Sequence, residues 1–459
     1  MTIRFDTALG SLIQWLKTRT GLLPQGDLVI VRDLRGQIRL IAESMEPASW
    51  DSTHEDKMTE LLGSYKAGGQ FLILLGRDQG FDSFFKAPDA YHCDGLPESW
   101  RVLDRLVTGR EWLYPANAPD KHPPRFVFYG LKGGVGRSTA LSMAAWHLEK
   151  KKKKVLVIDL DLESPGLGNM LLPVRQELGE EGDTALPGWP NFGLTDWFVE
   201  EAVGQADADL VRAMVQPSPM PVSGRGEIIV VPAAGGLYAQ DYVSKLSRAY
   251  ADLPNREGTP EVFGDRLARA IAQLEEQVKP DVVLLDSRAG IHHISAVALT
   301  RLDAFSYLFA SDSAQTWAGY KALFSHWAIK PETIKRVRES LRLVSALTPA
   351  ATDKDAFRDT FGEHAFDTFL PLYDEEPSEE PPADESSDES SPELFSFGPF
   401  EEGAPHRPIC IWHERVYVSF SPLTQALQLD VGNATLAFGE LFASIDSDIE
   451  KSVQAETSA

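Results

Sequence analysis

The sequence has very few cysteines: only Cys93 and Cys410 occur among its 459 residues. Two cysteines this far apart argue against a disulfide scaffold and against a thiolate metal site, and they suit the reducing cytoplasm. Long apolar runs are missing as well, and none approaches the roughly 20 residues that a membrane-spanning helix needs. Residues 1–16 lack a cationic stretch followed by an apolar core, so we expect no signal peptide. These absences predict a cytoplasmic protein without a membrane partner.

Basic residues are also in the minority, with 44 Lys and Arg against 68 Asp and Glu and a formal net charge of −24. This balance argues against a surface that binds nucleic acid in general. One stretch of predicted helix is locally basic and carries Lys330, Lys335, Arg336, Arg338 and Arg342. Because it is short and mixed with Glu332 and Glu339, DNA binding is an alternative that it leaves open but does not favour. Residues 440–459 are acidic, which argues against a cationic membrane-anchoring helix.

Residues 1–120 predict a small α+β domain. Apolar residues at helical spacing predict a helix over residues 7–17. Two apolar-rich runs, 27–32 and 37–42, predict a β-hairpin. This domain contains no recognisable chemical motif, and we expect it to bind a protein partner that the sequence does not identify.

From Arg125 onward, strands alternate with helices. This pattern predicts a doubly wound, mostly parallel sheet over residues 121–372, covered by helices on both faces. Residues 395–459 are expected to complete the same domain with further strands, one of them over 415–420, and with a closing helix over 435–446. The predicted fold class is therefore α/β, preceded by the small α+β domain.

Two segments are predicted to lack a fold of their own. Residues 114–124 are rich in proline and predict a linker. Residues 373–394 form an acidic tract, in which ten of the twenty residues from 374 to 393 are Asp or Glu. Such a tract cannot bury enough apolar surface to become ordered, so we predict a disordered insertion. A solubilising role is favoured over that of an acidic tether or a nucleic-acid mimic.

The most informative stretch begins with a predicted buried strand, 126–129, and continues into a glycine-rich loop. The loop contains Gly130, Gly133, Gly134 and Gly136. Ser138 and Thr139 then open an amphipathic helix. A strand, a glycine loop and a helix in this order form a phosphate cradle, because backbone N–H groups and a helix N-terminus converge on an anion. Arg137 stands where such loops normally have lysine.

Acidic residues follow two other predicted strands. Asp159 and Asp161 come after the second strand of the domain, and Asp286 ends the fourth. In a parallel sheet the carboxyl ends of neighbouring strands face one crevice. Carboxylates beside a polyphosphate repel it unless a cation intervenes, so we predict Mg²⁺ held by Ser138, Asp159 and Asp286. The alternative is that each aspartate only caps the helix that follows it.

Residues 132–139 resemble the deviant Walker A loop of the MinD/ParA ATPases, a group of P-loop NTPases that also includes nitrogenase iron protein. Asp159 and Asp161 match the second carboxylate motif of that family, and Asp286 matches its Walker B aspartate. Arg137 is a departure, and it resembles a bacterial branch with an arginine-variant loop.

The resemblance implies ATP and Mg²⁺ as cofactors and a nucleotide-dependent homodimer. The phosphates would contact Gly133, Gly134, Val135, Gly136, Arg137, Ser138 and Thr139. Lys132 would reach the nucleotide of the partner subunit, and Asp161 would position the attacking water. Arg137 keeps the positive charge of lysine on a larger, planar fork, and we expect it to bind β- and γ-phosphate oxygens.

The function expected from these residues is that of an ATP-hydrolysing switch whose nucleotide state controls dimerisation and partner binding. Lys132, Arg137 and Asp161 are its predicted catalytic residues. The alternative is a scaffold that binds nucleotide but does not hydrolyse it, because Arg137 weakens turnover.

Weaker candidates follow the fourth and fifth strands. His292 and His293 are adjacent, so they point in different directions on a helix, and a helix entry is favoured over a metal pair. Asp312 and Gln315 are candidates for contacts to the base or to the partner subunit, and a helix cap explains them equally well.

Overall fold

The structure, a computed structural model, describes residues 3–19, 21, 23, 26–43, 50–87, 89–93, 95–106, 110–113, 121–173, 188–220, 225–236, 241–254, 260–349, 354–374 and 394–458. Residues 375–393 of the predicted acidic insertion and 114–120 of the predicted linker lie outside these ranges. The chain divides into two units, Met1–Tyr114 and Pro115–Ala459. The predicted domain limits at residues 120, 372 and 394 stay predictions.

The first unit is built on a mixed sheet. Its elements are α1 (Phe5–Lys17), β1 (Leu28–Arg32), β2 (Ile38–Ala42), α2 (Ser52–Leu62), β3 (Leu72–Leu74), α3 (Asp82–Phe85), β4 (Ala90–Tyr91) and β5 (Trp100–Asp104). The strand order is β3-β2-β1-β5-β4. Strands β1 and β2 form the predicted hairpin, with Leu28 opposite Ala42. Helix α1 forms as predicted, because Ala8, Leu12 and Leu16 share one face and are buried.

The second unit is larger and alternates strands with helices. Its elements are β6 (Arg125–Gly130), α4 (Arg137–Lys150), β7 (Lys154–Asp159), α5 (Leu167–Leu171), α6 (Leu194–Ala202), α7 (Ala208–Ala213), β8 (Gln216–Pro217), β9 (Glu227–Val231), α8 (Tyr242–Ala249), β10 (Leu253–Pro254), β11 (Pro260–Glu261), α9 (Phe263–Val278), β12 (Val282–Asp286), α10 (His293–Thr300), β13 (Phe305–Ala310), α11 (Ala314–Trp327), α12 (Pro331–Val337), β14 (Leu341–Thr348), α13 (Lys354–Phe369), β15 (Ile409–Trp412) and α14 (Val431–Ser458). Within the described ranges, no helix is both long enough and apolar enough to cross a membrane.

Strand β6 lies inside an eight-stranded sheet with the order β15-β14-β13-β6-β12-β7-β9-β8. The strands pair in parallel except for β8, which is antiparallel to β9. All residues of β6 and β12 are buried, as in strands covered on both faces. The predicted doubly wound, mostly parallel sheet is confirmed. Because β12 lies between β6 and β7, the loops after these three strands share one edge of the sheet.

The strand predicted over residues 415–420 is wrong. The structure has a short 3-10 helix at Arg415–Tyr417 instead. The side-chain amide of Gln428 donates to the backbone carbonyls of Val416 and Ser419, at 2.8 Å each. These bonds satisfy backbone groups that a neighbouring strand would otherwise pair with, so the local apolar pattern does not produce a strand.

The closing helix predicted over residues 435–446 is longer than expected and spans Val431–Ser458 as α14. Asp430 starts it earlier, because its carboxylate accepts a hydrogen bond from the backbone N–H of Asn433 at 3.0 Å. The apolar face also continues beyond residue 446, where Ile449 is buried.

Arg266, a fully buried arginine on α9, ties that helix to two neighbouring segments. Its guanidinium donates to Glu201 Oε2 at 2.7 Å and to the carbonyl oxygens of Phe198 at 2.8 Å and Ala251 at 2.7 Å. Arg266→Met removes the donor of these three hydrogen bonds and leaves their acceptors without it. The substitution should therefore lower the free energy of unfolding by about 3–5 kcal/mol. Urea denaturation followed by tryptophan fluorescence measures this loss.

Arg269 provides the matched control, because it also pairs with Glu201, at 2.9 Å, but is 37% exposed. Arg269→Met should cost no more than about 1 kcal/mol. Equal losses from the two substitutions would contradict the expectation that burial sets the size of the effect.

Candidate functional site

The loop between β6 and α4 has the backbone geometry of a tight turn into a helix. Gly134 and Gly136 have φ values of 74° and 79°, in the left-handed region that favours glycine. Gly136 is also the N-cap residue of α4, so the free N–H groups of this helix begin at the loop. A Cβ added at Gly133 would meet no atom within 4 Å. The backbone at Gly133 is therefore open, and the predicted phosphate contacts of the loop stay predictions.

Arg137 begins α4 and folds back into the protein, where it is 9% exposed. Its Nη1 donates to the backbone carbonyl of Ser287, in the loop after β12. A Cβ at Gly130 would lie 3.2 Å from Cδ of Arg137, so the glycine at the end of β6 makes room for the arginine. Since a guanidinium carries five N–H donors, one bond to Ser287 leaves donors on the same fork.

Lys132 is held by a neighbouring helix of its own chain. Its Nζ donates to Ser313 Oγ at 3.2 Å, and Ser313 is the N-cap residue of α11. The predicted role of Lys132 at the partner subunit stays a prediction.

Asp286, at the end of β12, offers a carboxylate oxygen to a ligand. Its side chain is 3% exposed, and within the described part of the chain Oδ1 has no hydrogen-bond partner. Ser138 lies beside the same carboxylate. Burial raises the pKa of Asp286 to about 6, while Arg137 and Ser138 act in the opposite direction. A buried carboxylate oxygen without a donor is costly unless a cation binds it.

The donor set at this point fits Mg²⁺. Ser138 supplies a hydroxyl and Asp286 a carboxylate, and Mg²⁺ is commonly held by one or two carboxylates together with phosphate oxygens and water. Among the described residues, no group of three or more His, Cys, Asp or Glu forms a complete metal cage. The site therefore suits a cation that arrives with a phosphate ligand.

Asp159 has a different environment. Its Oδ1 accepts the backbone N–H of Asp161 at 3.0 Å, and its Oδ2 accepts those of Gly166 and Leu167 at 3.2 and 3.1 Å. Burial, followed by the charge of Asp286, raises the pKa of Asp159 well above its usual value. This carboxylate holds its own loop and the start of α5, which is the capping role that the sequence left open. Its role as a metal ligand stays a prediction.

Asp161 lies at the same edge of the sheet and is less buried. Its Oδ1 accepts the backbone N–H of Ser164 at 3.2 Å and lies 4.0 Å from Nη1 of Arg288. Burial raises the pKa of Asp161, whereas the charges of Arg288 and Arg137 oppose this shift. The predicted catalytic role of Asp161 stays a prediction, but the structure brings it close to charged groups from both neighbouring loops.

A cavity of about 430 Å³ adjoins the loop, and most of its lining residues are not among those predicted from the sequence. One side consists of residues 134–139. The other side is formed by Met170, Leu347, Ile411, Trp412, His413, Glu414, Tyr417, Val418 and Phe438. The sequence offers aromatic residues here, Trp412, Tyr417 and Phe438, but nothing in it links them to a loop so distant in the chain.

Leu347 is the strained member of this wall. It has a φ value of 53°, which is rare for a large side chain and often accompanies functional sites. A Cβ at Gly136 would lie 3.8 Å from Cδ2 of Leu347. The end of β14 thus approaches the phosphate-binding loop closely.

The two histidines after β12 do not form a metal pair. His292 is the N-cap residue of α10, and His293 is its first residue. Nε2 of His292 lies 3.2 Å from Glu163 Oε1, whereas the ring of His293 packs on Phe263 with centroids 5.0 Å apart. The two rings serve separate contacts, which supports the helix-entry interpretation.

Asp312 is engaged by neighbouring side chains. It accepts a hydrogen bond from Trp317 Nε1 at 2.8 Å and pairs with His364 at 3.0 Å. Gln315 is exposed on the first turn of α11. A contact of either residue with a base or a partner subunit stays a prediction.

The basic stretch after α11 is not one helix, since α12 ends at Val337 and Arg342 lies on β14. Arg338 pairs with Asp374 at 2.6 Å, and Arg342 pairs with Asp448 at 2.7 Å. Two of the five cations therefore hold the fold together, which weakens the DNA-binding alternative.

Comparison with known proteins finds no matching family model and no matching curated protein. Solved structures do match. A ParA family ATPase from Chlorobium tepidum TLS shares 15% identity over 55% of this chain and 81% of its own, with a TM-score of 0.34. The structure of pNOB8 ParA bound to nonspecific DNA shares 14% identity over 73% of this chain and 100% of its own, with a TM-score of 0.40. A McdA variant from Cyanothece in complex with ATP shares 16% identity over 73% of this chain and 97% of its own, with a TM-score of 0.36.

The matched structures are of the kind that residues 132–139 resemble. At these identities and TM-scores the likeness concerns the fold alone, and it assigns neither a reaction nor a partner to this chain.

Because the two buried aspartates have different environments, we expect their replacement by asparagine to affect the free energy of unfolding differently. Asp159→Asn should lower the free energy of unfolding by about 2 kcal/mol, because an amide cannot accept all three backbone N–H groups. Asp286→Asn should change it by less than about 1 kcal/mol, or raise it, because the substitution removes a buried charge whose Oδ1 has no partner. Urea denaturation in a chelating buffer measures both variants, and the reverse order would contradict these environments.

Proposed function

We propose that this chain is a Mg²⁺-dependent switch that binds and hydrolyses ATP, and that its nucleotide state controls dimerisation and partner binding. The observation that carries the proposal is the buried Oδ1 of Asp286, which has no hydrogen-bond partner in the described part of the chain and lies beside Ser138 near the glycine loop. A phosphate-bound cation satisfies that oxygen, and the loop supplies N–H groups to the phosphates.

Each side chain then has a defined task. Ser138 and Asp286 hold Mg²⁺, which when bound neutralises phosphate charge. Arg137 and Lys132 bind phosphate oxygens, and Asp161 orients the attacking water. The cavity beside the loop, bounded by Trp412 and its neighbours, receives the base.

A nucleotide switch also requires that the states before and after hydrolysis make different contacts between subunits. A γ-phosphate gripped by Lys132 of a second copy would close a homodimer, and hydrolysis would release it. The first unit would then bind the protein partner in the cytoplasm, where cysteine thiols stay reduced.

A nucleotide-gated scaffold without turnover is the second candidate. It is favoured by the bond from Arg137 to the Ser287 carbonyl, which commits part of the guanidinium to the protein itself. An arginine held in this way can bind phosphate without following the charge that develops during hydrolysis.

Phosphate release distinguishes these two functions. The wild type should release phosphate from ATP only with Mg²⁺. Asp161→Ala should bind ATP with unchanged affinity but lose turnover by about 100-fold or more, because it lacks the group that orients water. Arg137→Lys should retain binding within a few-fold and lose about 10-fold in turnover, because a compact ammonium keeps the charge but does not reproduce the planar fork of donors of the guanidinium.

Lys57→Ala, which changes an exposed lysine of the first unit, is the control for charge removal and should leave both quantities unchanged. A wild type that binds ATP but releases no phosphate would reject hydrolysis and leave the scaffold.

Sedimentation velocity tests the proposed dimer. With ATP and Mg²⁺, the Asp161→Ala variant should sediment as a dimer, because ATP persists in it. With ADP or without nucleotide it should be a monomer, and Lys132→Ala should remain monomeric in all conditions. An oligomeric state that never responds to ATP would reject the dimer switch.

A further inference from the structure

One arginine joins the loops that follow β7 and β12. Arg288, two residues after Asp286, extends to two carboxylates of the loop after β7. Its Nη1 contacts Glu163 Oε2 and lies 4.0 Å from Asp161 Oδ1. The Arg288 side chain is 29% exposed, and those of Glu163 and Asp161 are 22% and 18% exposed. These charges interact largely out of bulk solvent, where their attraction is stronger than in water.

Glu163 is itself held from other directions. Nε2 of His292, the N-cap residue of α10, lies 3.2 Å from Glu163 Oε1. The phenol of Tyr250, in the segment after α8, faces the same carboxylate. Burial acts to raise the pKa of Glu163, but His292, Tyr250 and Arg288 outweigh it and lower this pKa to about 2. Glu163 is therefore ionised and held in position, so it can fix the guanidinium of Arg288.

The backbone that carries Arg288 is fixed as well. Arg137 donates to the carbonyl of Ser287, and Ser295 Oγ donates to the carbonyl of Arg288 at 2.9 Å. A side chain anchored at its backbone and at its charged end can hold a third group in place. That third group is the carboxylate of Asp161.

We propose that Arg288 is the positioning residue for Asp161 and that Glu163 keeps Arg288 in the orientation this requires. The inference rests on the proposed function, in which Asp161 orients water. Because Arg288 acts through Asp161 in this proposal, its loss should affect the reacting geometry and not nucleotide binding.

The test compares Arg288→Gln and Arg288→Lys with the wild type in ATP binding and in single-turnover phosphate release. Arg288→Gln should lower the single-turnover rate by about 100-fold with the Kd for ATP unchanged within about threefold, because misplacing a positioned group slows the chemical step. Arg288→Lys should recover part of the loss because it keeps the charge, and Glu163→Gln should resemble Arg288→Gln. A weakening of ATP binding as large as the loss of rate, or no loss of rate at all, overturns the proposal.

A double-substitution experiment excludes a merely structural role. If Arg288 acts through Asp161, then Arg288→Gln added to Asp161→Asn should cost little beyond Asp161→Asn alone. The same further loss in both backgrounds overturns the proposal. Arg269→Gln, which removes an arginine paired with Glu201 and Glu261, is the control and should leave the rate unchanged.

If the wild type releases no phosphate, the proposed function fails, and hydrogen exchange then decides the inference separately. Amides of residues 160–166 should exchange faster in Arg288→Gln than in the wild type and in Arg269→Gln, because the loop has lost its anchor. Unchanged exchange in Arg288→Gln overturns the positioning role.

Discussion

The balance of charge at one edge of a parallel sheet is the constraint on which the rest of the site depends. The register of β7 and β12 places Asp286 opposite Asp159, and burial raises the pKa of both. Carboxylates this close and this buried repel each other unless cations or donors compensate. Backbone N–H groups donate to Asp159, and Arg137 and Arg288 lie nearby. Under the proposed function, a metal ion binds the oxygen of Asp286 that has no hydrogen-bond partner among the described residues.

Arg137 connects this edge to the glycine-rich loop between β6 and α4. A lysine at the same position presents one compact charge, whereas a guanidinium presents a rigid fork of donors. In this chain one branch of the fork bonds to the Ser287 carbonyl, and Gly130 leaves the space that the longer side chain needs. The substitution that looks like a defect in the sequence thus has a structural partner in the loop after β12. Under the proposed function, a nucleotide bound to Arg137 would therefore act on the backbone next to Arg288 through this hydrogen bond.

Much of the fold was predictable because strong local patterns agreed with it. The strands that became β6, β7 and β12 are continuous apolar runs, which suit a sheet covered on both faces. The prediction failed over residues 415–420, where the side chain of Gln428, from the short 3-10 helix Ala426–Leu429, donates to the backbone carbonyls of Val416 and Ser419. The range predicted for α14 was also too short. The start of this helix depends on a cap, and its end depends on packing beyond the periodic segment. Local patterns cannot report such contacts.

The sequence alone determined the chemistry available to the chain: a glycine loop opening a helix, three strand-end aspartates and an arginine in a lysine position. Those features are local, so they are readable without coordinates. Only the tertiary structure decided which aspartate keeps an unpartnered oxygen, what Arg137 and Arg288 bind, and that Trp412 and its neighbours wall the cavity. Each of these depends on a hydrogen bond, an ion pair or a packing contact between residues far apart in the chain, and spacing along the sequence does not encode it.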